Sequence, residues 1–163
     1  MNTAEIANTL GTLLAELVEG AAKDGGYMLN PGDKGILRSL ETLSASEASA
    51  PTCTSSSIAA HVDHLLYGLS LMNRWSNGEN PFGSADWSAS WRRTVVSDQE
   101  WRQLRADLRA EAMRWLAVVR QPRDVGEIEL NGMIGSIAHL AYHLGAIRQI
   151  NQSVRGPAEG DGK

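Results

Sequence analysis

Four long stretches of this chain repeat apolar residues every three or four positions, and no stretch alternates them at the period of two that a half-buried strand requires. That pattern confines the chain to an all-α fold. In the first stretch Ile6, Leu10, Leu13, Leu17 and Ala21 form one stripe ahead of the break at Asp24-Gly25-Gly26, which predicts a helix over residues 2 to 23. Beyond Asn30-Pro31-Gly32, Ile36, Leu37, Leu40 and Leu43 predict a short extra helix, and the Ser/Ala/Pro/Thr stretch of 44 to 57 reads as an irregular loop.

Ser55 to Ser57 are natural N-cap donors for a second long helix, whose core stripe is Ile58, Val62, Leu65, Leu69 and Met72 and whose end is near Asn77-Gly78. Residues 78 to 96 hold Pro81, Gly83, Trp87 and Trp91. A floppy segment would leave the two indoles wet, so this is predicted to be a long ordered loop packed over one end of the helices. Ser97-Asp98-Gln99-Glu100 spells a capping box and opens a third long helix with Trp101, Leu104, Leu108, Trp115 and Val119 inward, stopped by Pro122. After an Asp/Gly/Glu connector, Met133, Ile134, Ile137, Leu140, Leu144 and Ile147 define the fourth, ending near Asn151. Helices of about 20 residues are rods of roughly 30 Å, a length that suits an antiparallel four-helix bundle.

At 163 residues the chain is the size of one domain, assigned to 1–155, with a polar, Gly-rich tail over 156–163 expected to be disordered. A formal net charge of −4 gives no basic footprint for nucleic acid or for an acidic lipid surface. The first twenty residues lack the positive leader of a signal peptide, and no apolar run is long enough to span a bilayer. The single cysteine, Cys53, forms no internal disulfide and sits in no nucleophilic constellation. These readings point to a soluble, cytoplasmic protein.

All four histidines fall on two of the predicted helices: His61 and His64 on the second, His139 and His143 on the fourth. A spacing of four puts His139 and His143 on one helical face with Cβ atoms about 5–6 Å apart, close enough to grip one divalent metal ion. A third ligand has to come from a facing helix, where His61 and His64 are the available imidazoles. Helical geometry leaves that choice open, because His61 lies nearer the centre of the apolar stripe and His64 at its border. Three protein ligands leave one coordination position open, the arrangement of a catalytic rather than a structural ion. Leu140 stands where a zincin would carry its glutamate, which excludes that class of peptidase. The mixed charges from Asp98 to Arg114 read as a solvated face, and Arg74 with the nearby tryptophans as solvated or packing residues.

The segments Ser57-Ile58-Ala59-Ala60-His61-Val62-Asp63-His64-Leu65 and His139-Leu140-Ala141-Tyr142-His143-Leu144-Gly145 resemble the two signature regions of the DinB-like superfamily, the DinB/YfiT type. The resemblance covers most of the chain. It selects His64, six residues after an aliphatic residue and directly before a leucine, as the first ligand, with His139 and His143 as the closing pair and His61 as the alternative. It implies a four-helix bundle, a divalent ion such as zinc or nickel, and pairing as a homodimer. It also implies a metal-dependent thiol S-transferase or isomerase, using a low-molecular-weight thiol of the bacillithiol, mycothiol or glutathione kind against a small electrophile. The physical logic is that a cation on sulfur makes the thiolate at neutral pH. A non-catalytic metal-binding or stress-related protein is the alternative the sequence leaves standing.

Overall fold

The computed structural model describes residues 2–52 and 56–158. Among these residues six α-helices form: α1 (Thr3–Glu19), α2 (Gly35–Glu41), α3 (Ala45–Ala48), α4 (Ile58–Ser76), α5 (Asp98–Val119) and α6 (Glu127–Ile150). Single 3-10 turns add Phe82–Ser84, Ala89–Trp91 and Gln152–Val154, and no strand occurs among the described residues. The four long helices are those the periodicity predicts, and α2 is the short extra one.

Helices α4 and α5 start at side-chain caps that the sequence suggests, and α1 starts at one that it did not single out. Ser57 Oγ accepts from the Ala60 amide, and Ser97 with Glu100 forms the complete capping box of α5. Asn2 with Glu5 does the same for α1. Ser55 and Cys53 lie outside the described residues.

The long helices meet in a ring, α1 against α5, α5 against α4, α4 against α6 and α6 against α1, with α2 wedged on α1 and α5. One apolar core runs through the ring, including Leu14, Leu17, Ile36, Leu65, Leu108, Trp115, Leu140 and Ile147. Both fully buried indoles have a partner for the N–H: Trp101 Nε1 donates to the Leu43 carbonyl at 2.8 Å and Trp115 Nε1 to Ser136 Oγ at 2.8 Å.

Several boundaries differ from the sequence reading. Helix α1 ends at Glu19 and not near residue 23, because the chain reverses at Gly20 with φ 108°. A Cβ there would lie 2.2 Å from the Asp33 carbonyl oxygen, so only glycine fits. The 44–57 stretch is not wholly irregular: Ser44 and Glu47 cap the one-turn helix α3. The supposed connector residues Glu127 and Glu129 form the first turn of α6, where acidic side chains complement the helix dipole. Ile134, assigned to the core stripe of that helix, is 49% exposed. Of the tail, residues 156–158 are held in place, with Asn30 Nδ2 donating to the Pro157 carbonyl at 2.8 Å, and 159–163 lie outside the described residues.

No helix among the described residues is long and apolar enough to cross a membrane.

Candidate metal centre

Helices α4 and α6 run antiparallel along a shared face, since His61 meets His143, His64 meets His139, and Trp75 packs on Gly132. This register brings all four histidines together. The Nε2 atoms of His64 and His139 are 3.1 Å apart, and those of His139 and His143 are 3.0 Å apart. Each of the three rings offers a nitrogen within 4.8 Å of the other two, a group able to hold a metal ion. Two imidazole nitrogens bound at 2.0–2.1 Å with tetrahedral angles are about 3.3 Å apart, so both printed separations need only a few tenths of an ångström of adjustment.

The opposite edges of the rings are tied down. Ser90 Oγ lies 2.7 Å from His64 Nδ1 and donates its only hydrogen to the Trp87 carbonyl, also at 2.7 Å. The hydroxyl can therefore only accept from His64, which puts the ring proton on Nδ1 and leaves a lone pair on Nε2 aimed at the cluster. His143 Nδ1 is 2.8 Å from His61 Nδ1, and His61 Nε2 in turn is 3.5 Å from Ser56 Oγ. His61 thus stands behind His143, one ring removed from the point where the three Nε2 atoms meet.

The rings are kept neutral by their surroundings. Burial, followed by the neighbouring His139 and His61, lowers His64 to about 4. Burial, with the other three histidines adding to it, lowers His143 to about 3. Burial also lowers His61 and His139. Neutral imidazole is the form that binds a metal, so the cluster of His64, His139 and His143 is able to hold one ion.

The 78–96 segment is ordered and contributes to this site. Its 3-10 turn Ala89–Trp91 packs on α4, the Trp91 ring stacks on His64 at 4.4 Å, and its edge contacts His61 at 5.1 Å. Tyr67 Oη accepts from the Asp86 amide at 2.9 Å and helps hold the segment down. Arg74 lines nothing here, being turned outward to Glu79 at 2.7 Å. Asp63, next to His64 in sequence, points away to Arg93 at 3.5 Å.

Ser90 was not legible as a site residue, since no local pattern marks a serine 26 positions from the ring it supports. The only available signal was that a segment with two tryptophans has to pack somewhere. Comparison with protein-family models, curated proteins and solved structures found no match.

Proposed function

We propose that this chain is a four-helix bundle of the DinB-like type that binds one divalent ion, zinc or nickel, through His64, His139 and His143, and acts as a metal-dependent S-transferase on a small electrophile. The observation that carries the reading is the convergence of three Nε2 atoms from two helices while the far nitrogens of His64 and His143 are occupied. Ring nitrogens with that division of labour are the usual arrangement at protein metal sites.

When bound, a divalent ion of this kind supplies Lewis acidity at an open position, lowering the pKa of a thiol or water there. The chain's own part is to hold three neutral imidazoles at fixed orientation. Ser90 keeps the His64 proton on Nδ1, His61 accepts the Nδ1 proton of His143, and Trp91 shields the rings from solvent on one side. No carboxylate reaches the cluster among the described residues, so the donor set is all nitrogen and borderline-soft, a chemistry suited to zinc or nickel and tolerant of sulfur as an added ligand.

Elemental mass spectrometry of tag-free protein tests this, on wild type, His64→Ala, His139→Ala, His143→Ala and His61→Ala. One ion per chain is expected in wild type and His61→Ala and none in the other three. Wild type that remains metal-free after Zn²⁺ and Ni²⁺ are offered refutes the metal reading. Metal-loaded protein that conjugates no thiol to any member of an electrophile panel refutes the transferase reading alone.

A further inference from the structure

A cavity of about 340 Å³ lies between α4 and α6 and ends at His64 and His139. Glycines open it. A Cβ on Gly68 would touch His139 Cε1 at 3.5 Å and the Trp87 ring at 3.7 Å, whereas a Cβ on Gly135 would meet nothing within 4 Å. The far wall carries Met72 and Phe82, and no lining residue bears a formal charge.

Its polar resources are few. Ser136, the one hydroxyl on the wall, is already committed, accepting from Trp115 Nε1 and donating to the Met133 carbonyl at 2.7 Å. What remains is the histidine end, where the His139 ring forms part of the wall. Trp87 and Phe82 at the rim are 40% and 39% exposed, apolar area that an occupant would cover.

The geometry points to a binding site for an uncharged, mainly apolar small molecule with a planar portion, lying against Trp87 with its polar end toward the histidines. A volume equal to about eleven waters accommodates on the order of ten to fifteen non-hydrogen atoms, the small end of the range for ligand pockets. With no ion on the histidines, a carboxylate or ammonium group entering this space loses its hydration and finds no counter-charge on the lining. The inference deepens the proposed function by assigning this cavity to the electrophile and not to the charged thiol, and it rests on that reading only for the reaction. Occupancy needs no metal.

Isothermal titration calorimetry on the full chain as purified tests it, with indole as the uncharged planar probe and indole-5-sulfonate as its charged counterpart of similar shape. Metal content is recorded on the same samples, so failure of the metal site and failure of the cavity are read separately. The expected result is one indole per chain, at least tenfold weaker binding of the sulfonate, and loss of indole binding in Gly135→Leu, whose side chain enters the open space. Trp87→Ala, a change at a half-exposed residue, is expected to weaken indole at least tenfold with an unchanged thermal midpoint. Equal affinity for the two probes, or indole binding undiminished in both variants, overturns the assignment.

Discussion

Acid should unfold the metal-free chain through its histidines, and the structure sets the size of the effect. Burial holds His64 at about 4 in the folded chain, against 6.5 for an ordinary histidine. As pH falls below 7 the unfolded chain takes up the proton first, so stability contributed by the neutral ring is complete above the unfolded value and is lost progressively from 6.5 down to about 4. At about 1.4 kcal/mol per pH unit the loss through His64 alone approaches 3 kcal/mol by pH 4. His143, lowered to about 3 with burial again the first cause, adds to the loss in the same direction, though a proton on either ring opposes a proton on the other. Domains of this size have about 5–15 kcal/mol in total, so the effect is a large fraction of the whole. Urea midpoints between pH 7.5 and 4 measure it in wild type and in His64→Asn. Carboxylate titration is common to both proteins and cancels in the difference, so the gap between the two curves should change by about 3 kcal/mol from pH 7 to pH 4, wild type losing more. Parallel curves would refute the claim that burial of this ring opposes its protonation.

Three further substitutions have expected outcomes. Ser90→Ala removes the acceptor for His64 Nδ1 and should weaken Zn²⁺ binding about tenfold in a chelator competition while the stoichiometry stays at one, a result that full-strength binding would contradict. Glu16→Leu strips the buried carboxylate that accepts from the amides of Tyr27, Met28 and Leu29. It should lower stability by about 2–4 kcal/mol in urea and speed hydrogen exchange at those amides, an outcome excluded if both stay at wild-type values. Arg148→Met leaves Asp33, 2% exposed, without its 2.7 Å guanidinium partner and should destabilise by about 3–5 kcal/mol, most of which Asp33→Asn in the same chain should restore if the uncompensated charge is the cause.

What could be seen in the sequence was whatever repeats locally. The four apolar stripes and the Ser97–Glu100 box produced helices where the chain forms them, because 3.6-residue periodicity and capping are properties of a single segment. The end of α1 is not legible locally, because Asp24-Gly25-Gly26 is a stronger turn signal than the lone Gly20. Yet it is Gly20, pressed against Asp33 from the next segment, that the packing requires. The box at Ser44 and Glu47 follows the same rule as the one at Ser97 but heads no apolar run, so its sequence alone reads as loop.

The site illustrates the same division at closer range. His139 and His143 are a local pair and were legible as such, whereas the choice between His61 and His64 was not, since residues three apart on a helix share a face. The antiparallel register of α4 on α6 separates them. It sets His64 across from His139 with Nε2 facing Nε2, and sets His61 across from His143 with Nδ1 facing Nδ1. One histidine therefore joins the converging nitrogens and the other supports them from behind, a distinction made by the ring edge each presents. Exchanging these roles would require α6 to shift along α4 by about a helical turn, a movement of roughly 5 Å. The packing of Trp75 on Gly132 at the other end of the pair, and the Trp91 ring stacked on His64, both oppose that shift, so the apolar residues around the cluster decide which imidazoles converge.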